Sequence, residues 1–132
     1  MRYALGLDHI SLLVRSLDVS TKFYTEVLGF DVIHNGTEQS HIRWFGIGGI
    51  DSLHITQGDF GKTHLEKPTH FAMKVDNFDA LVADFRARGI PFWDWPGKQD
   101  NVTGRPDGFR QIYVQDPDGY WIEINDHNRE IA

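Results

Sequence analysis

The spacing of apolar positions divides the chain into short strands and two helices. Residues 7–14 (LDHISLLV) are apolar enough for a strand. Arg15, Ser16, Leu17 and Asp18 follow as a turn with two N-cap candidates, Ser16 and Asp18. Over 19–28, Phe23, Tyr24, Val27 and Leu28 recur with the rhythm of one buried helix face, and Gly29 is placed to end that helix in a left-handed cap. Short strands are expected at 30–34, 41–46 and 52–57. A second series then begins. Residues 69–75 alternate as a strand, Asp76 and Asn77 cap a helix over Phe78–Arg88, and Phe78, Leu81, Val82 and Phe85 line its inner face. Gly89 ends this helix, and strands are expected at 91–95, 111–115 and 120–126. Residues 96–108 (PGKQDNVTGRPDG) show no periodicity and read as a long loop, either a lid or a plain hairpin.

The two series are copies of one plan. His9 and His70 lie 61 residues apart, as do Val14 and Val75, Leu17 and Phe78, and Asp18 and Asp79. The expected fold is α+β, with two βαβββ modules, 1–60 and 66–132, joined by a linker at 61–65 into a single domain over 1–132. Two such modules related by a pseudo-twofold can form a cleft. His9 and His70 then approach the axis, and His54 and Glu123, each in the last strand of its module, can converge there too. Sequence leaves open whether that cleft forms within one chain or between chains.

Composition narrows the setting. At 132 residues the chain fits one domain with one sizeable core. No apolar run approaches 18 residues, and the N-terminus turns polar early for a signal peptide. With no cysteine there is neither a disulfide framework nor a thiolate, which is compatible with a cytoplasmic location. Thirteen basic and 19 acidic residues give a net charge of −6, and an acidic surface repels phosphate backbones, so nucleic acid is not an expected partner.

Glu123 stands between Ile122 and Ile124, where a carboxylate is costly unless it is paired, metal-bound or on an exposed face. His9 and His70 open apolar strands in repeat register and read either as hydrogen-bonded structural groups or as ligands. His54 reads as a ligand, a general base or a supporting group, and Tyr113 as a core aromatic or as a donor to a substrate oxyanion. Asp116, Pro117, Asp118 and Gly119 form a tight turn that sets the register aiming Glu123. Trp44, Phe45, Phe92, Trp93 and Trp95 are abundant enough to supply a core, a subunit interface or an apolar pocket wall. Arg105 or Arg110 could meet an anionic substrate. Lys67 and Lys74 have no evident site context.

The order of elements and the stretch DPDGYWIEI (116–124) strongly resemble the vicinal oxygen chelate superfamily. Its members include glyoxalase I, extradiol dioxygenases, and fosfomycin- and bleomycin-resistance proteins. The resemblance covers nearly the whole chain and implies a glyoxalase/bleomycin resistance/dioxygenase fold. It also implies one divalent metal per site (Fe, Ni, Zn, Co or Mn) on His9, His54, His70 and Glu123, with Glu123, His54 and Tyr113 as catalytic groups. In glyoxalase I the position of His54 is normally glutamate, so here the chain departs from that pattern. The motif Ile112-Tyr113-x-x-Asp116-Pro117-x-Gly119-x-x-x-Glu123 also fits the later part of the extradiol signature, though a histidine expected upstream is replaced within GRPDGFR (104–110). The resemblance thus implies a glyoxalase-like lyase or isomerase acting on a small substrate chelated through adjacent oxygens. An Fe(II) extradiol-type dioxygenase and a metal-free drug-binding protein are the alternatives, and a homodimer is the expected assembly.

Overall fold

In the computed structural model, which describes residues 3–127, the chain divides into two compact units, one ending at Thr63 and the other starting at His64. The outermost residues of the expected module spans, 1–2 and 128–132, lie outside the described residues. Each unit is a four-stranded mixed sheet with one helical segment, so two similar βαβββ-type modules are present.

In the first unit β1 (Ile10–Val14) leads into α1 (Leu17–Lys22), which is followed by a π-helical turn at Phe23–Val27. The strands β2 (Asp31–Ile33), β3 (Ile42–Ile47) and β4 (Ile50–Gln57) complete the sheet in the order β1-β4-β3-β2. Ser16 is the N-cap, its hydroxyl accepting from the Val19 amide at 3.2 Å. The helix expected over 19–28 therefore begins two residues early and changes type midway. The shift comes where the Thr21 and Thr25 hydroxyls bond the carbonyls of Leu17 and Thr21, four residues back. Beyond it the Leu28 amide reaches the Phe23 carbonyl, five residues back. The turn leaves Tyr24 fully buried beside Phe30 and Phe45, while Phe23, Val27 and Leu28 are only half-buried.

In the second unit β5 (His70–Lys74) leads into α2 (Phe78–Arg88), and β6 (Thr103–Gly104), β7 (Arg110–Gln115) and β8 (Trp121–Asn125) follow. The sheet order is β5-β8-β7-β6. Asn77 caps α2 through the Ala80 amide, and Gly89 closes it at φ 67, a left-handed conformation that glycine adopts without the Cβ penalty. Phe78, Val82 and Phe85 are buried, and Leu81 is half-buried.

The strand expected at 91–95 does not form. Pro91 and Pro96, at its two ends, lack amide donors, and the stretch makes only isolated bridges at Trp93: one to Gln99 and one to Tyr113, with which Trp93 exchanges both backbone hydrogen bonds at 2.9 and 2.8 Å. The chain then folds around the buried Asp94 carboxylate, which accepts from the Gly97 and Lys98 amides and the Asn101 side chain. Residues 96–108 are accordingly organised, and they contribute the short strand β6.

Both β4 and β8 are interior strands of their sheets, each flanked by a parallel partner and an antiparallel one. Glu123 and Asn125 are 8% and 3% exposed, so the carboxylate does not sit on the open face of an edge strand. No helix among the described residues is long and apolar enough to cross a membrane.

Candidate active site

Register places the candidate side chains at matching points of the two sheets. In the first unit His54 pairs with Ser11 on one side and Trp44 on the other. In the second unit Glu123 pairs with Ala72 and Tyr113. Ser11 and Ala72 each lie two residues after a histidine, His9 and His70, so alternation sends histidine and pairing partner to one face.

The second unit forms a hydrogen-bonded group around Glu123. The Tyr113 hydroxyl donates to Glu123 Oε1 at 3.0 Å and accepts from Gln111 Nε2 at 2.9 Å. Asn125 Nδ2 donates to Glu123 Oε2 at 2.6 Å. Burial and the adjacent Glu123 carboxylate raise the Tyr113 pKa above the ordinary phenol value, so the phenol keeps its proton and serves Glu123 as donor. His70 Nδ1 lies 2.8 Å from the Lys67 carbonyl, which can only accept, so Nδ1 carries the proton. That leaves Nε2, 3.4 Å from Glu123 Oε1, as the ring nitrogen turned towards the carboxylate.

Lys67 therefore has a site context after all. Its Nζ donates to the Asp94 and Trp95 carbonyls and lies 5.0–5.6 Å from the ring centres of Tyr113, Trp121 and Trp95. Burial lowers its pKa, with Asp94 opposing the shift. A cavity of about 410 Å³ opens onto the group, lined by His70, Glu123, Tyr113, Gln111, Trp95 and the 103–106 segment. A cavity of similar size at the end of α2, against Pro91 and Phe92, contains none of the candidate ligands. Arg105 borders the first cavity, with its guanidinium bonded to Asp107 and His127. Arg110 is bonded to Asp126 and Asp79, which raise its pKa, so that cation is committed to the fold.

The first unit holds a row of stacked rings instead. His54 lies between Trp44, at 4.0 Å and 3°, and His9, at 3.8 Å and 19°. Asp51 accepts from His54 Nε2, with its two oxygens at 2.8 and 3.0 Å. Asp8 accepts from His9 Nδ1 at 2.6 Å, leaving Nε2 as the other nitrogen. The Trp44 indole nitrogen is buried without a hydrogen-bond partner.

The donor chemistry in the second unit fits a metal ion. A histidine with Nδ1 fixed on a carbonyl and Nε2 free is the form that metal ligands take. Two atoms each about 2.1 Å from a tetrahedral zinc would stand roughly 3.4 Å apart, and His70 Nε2 and Glu123 Oε1 have that separation. Among the described residues no group of three or more His, Asp or Glu is close enough together to hold an ion.

Asp51, Asn125, Gln111 and Lys67 are the participants that pattern reading missed. Asn125 and Gln111 carried a usable signal, each lying two residues from a candidate on the same strand face. Asp51 and Lys67 lie three residues before a candidate histidine, a spacing with no meaning until strand and turn geometry are known.

Comparison with known proteins agrees with this architecture. A family model described as "Glyoxalase/Bleomycin resistance protein/Dioxygenase superfamily" matches residues 6–124. The "Uncharacterized protein YwbC" of Bacillus subtilis is 30% identical over 124 residues, spanning 89% of this chain and 94% of that one. A "Probable lactoylglutathione lyase" of Vibrio parahaemolyticus is 30% identical over 127 residues, spanning 88% and 86%. Among solved structures, the fosfomycin resistance protein FosX of Listeria monocytogenes shares the fold at a TM-score of 0.72 and 23% identity, covering 94% of each chain. The chain belongs to the glyoxalase/bleomycin resistance protein/dioxygenase superfamily.

Proposed function

We propose that this chain is a metal-dependent, glyoxalase-like lyase or isomerase acting on a small substrate that presents two adjacent oxygens. The observation that carries the reading is the buried Glu123 carboxylate, fixed by Tyr113 and Asn125 and facing His70 Nε2 at 3.4 Å on an open cavity. A carboxylate fixed in this way beside an imidazole nitrogen, on an open cavity, is placed to handle a cation or a proton. Relatives named for lactoylglutathione lyase activity point the same way.

His70, Glu123 and His9 are the proposed ligands, with His54 as a further ligand or as a proton carrier. A divalent ion bound there would supply Lewis-acid stabilisation of negative charge on the substrate oxygens. Glu123 or His54 would take the proton from the carbon that bears the hydroxyl and sulfur of a hemithioacetal. The same residue would return a proton to the neighbouring carbonyl carbon. The product is a hydroxyacyl thioester, an isomer of the substrate, so no electrons or atoms are gained or lost. His54 suits proton transfer because Asp51 orients it through Nε2 and two rings hold its plane. Tyr113 supports Glu123, since its proton is already engaged. The proposed setting is a single domain over 1–132 acting as a cytoplasmic homodimer without nucleic-acid binding, in keeping with its acidic charge.

Reconstitution tests the reading. The metal-free protein would be loaded separately with Ni, Zn, Co and Fe(II), then given the hemithioacetal of methylglyoxal and glutathione. Thioester formation with at least one ion is expected. Oxygen uptake with catechols in the iron form, and no thioester with any ion, would replace this reaction with the dioxygenase one.

A further inference from the structure

Trp95 is 43% exposed, yet its backbone is anchored on both sides. Its amide donates to Thr103 Oγ1 at 2.7 Å, and its carbonyl accepts from Lys67 Nζ at 2.9 Å. The residue before it, Asp94, is buried with its carboxylate saturated by three donors, and Trp93 is bonded in both directions to Tyr113. The indole thus rests on the strand that also carries the Glu123 donor. Its ring centre is 5.4 Å from that of Tyr113 and 6.4 Å from that of His70.

Trp95 thus adds a flat apolar ring to the lining of the cavity, which His70 and Glu123 also line. An indole left 43% exposed on this anchored backbone keeps apolar area uncovered beside the cavity. That area can cover the apolar part of a ligand whose polar end is engaged at His70 and Glu123. Lys67 serves both ends, since its carbonyl fixes the His70 ring and its ammonium fixes the Trp95 backbone.

We propose that Trp95 is a specificity-determining residue, and that the cavity prefers substrates whose paired oxygens carry an aryl or similarly flat apolar group over those carrying a methyl group. This deepens the metal-dependent reading above and rests on it. Benzohydroxamate and acetohydroxamate probe it, because both present two adjacent oxygens and they differ in a phenyl against a methyl group. Binding of each to the full-length protein would be measured by calorimetry, with nickel loaded and with metal removed.

The nickel form is expected to bind benzohydroxamate about tenfold more tightly than acetohydroxamate. Trp95→Ala should reduce that ratio to within about twofold, and Trp95→Phe should keep most of it. No preference in the wild type, or a preference that survives Trp95→Ala, overturns the proposal. A Trp95-dependent preference that persists unchanged without metal upholds the aromatic wall and counts against the metal reading. Failure of both probes to bind in either form overturns both.

Discussion

Ser11, His54 and Trp44 lie in line across β1, β4 and β3, and Ala72, Glu123 and Tyr113 lie in line across β5, β8 and β7. The backbones deliver the same three positions, with a histidine two residues before the first of each row. The side chains then do different things. In the first unit three rings stack, and Asp51 reaches His54 from its own strand. In the second unit a carboxylate is gripped by two donors, and His70 stands off at 3.4 Å with its other nitrogen fixed. Stacking fixes the plane of a ring and leaves an imidazole able to exchange a proton. Hydrogen bonding fixes the positions of the two oxygens of a carboxylate. The repeat specifies where a side chain stands, and the residue placed there decides what holds it and what it can offer.

The largest expected effect comes from erasing that difference at its charged end. Glu123→Gln keeps the shape and removes the charge, and it should lower turnover by about 10³-fold while circular dichroism stays that of the wild type. His54→Gln is the matching change in the first unit. If the stacked row is a proton relay, turnover falls about 10²-fold and metal content is unchanged. Loss of metal alongside loss of turnover would make the two rows alike in role and remove the contrast.

Much of this contrast was visible before any coordinates. The two copies, the interior of α2, its Asn77 cap and its Gly89 stop follow from local pattern, whereas His9, His54, His70 and Glu123 were picked out by repeat register and named as a ligand set only by the family resemblance. Position along a strand is enough to place a donor, because the side-chain period is two. The misses have a common cause. The π-turn at Phe23–Val27 depends on threonine hydroxyls competing for carbonyls, which apolar spacing does not record. The missing strand at 91–95 depends on prolines at both ends and on a carboxylate that collects distant amides. Lys67 could not be assigned, since its partners lie 27 and 28 residues away. Whether Glu123 was exposed turned on strand order, and β8 proved to be interior.

Smaller changes sharpen the comparison. Tyr113→Phe removes one of the two donors on Glu123 and strands Gln111 Nε2, while the equivalent residue Trp44 has no such bond to lose. It should weaken metal affinity about tenfold and cost about 1–2 kcal/mol of stability, read by metal titration and urea unfolding.

The smallest effect concerns the sheet edges. β2 pairs with β3 over three residues, whereas the corresponding stretch of the second unit makes two isolated bridges, both at Trp93, beside the buried Asp94. The Asn101 hydrogen bond, aided by the Lys98 and Gly97 amides and opposed by burial, lowers the Asp94 pKa below 3.8. Its contribution is present above that value and is lost as the pH falls through the lower folded-state value. Amide exchange at 93–101 should therefore accelerate below about pH 4, ahead of exchange in β2 and β3. Asp94→Asn should remove that pH dependence.

Metal content decides whether His70 and Glu123 serve as the proposed ligands. Elemental analysis of untagged protein, purified without chelator and compared with Glu123→Gln and His70→Ala, tests that assignment most directly. The account predicts close to one equivalent per chain in the wild type and a large loss in both variants. Wild-type metal content in both variants, or a wild type that takes up none of the candidate ions, would contradict it.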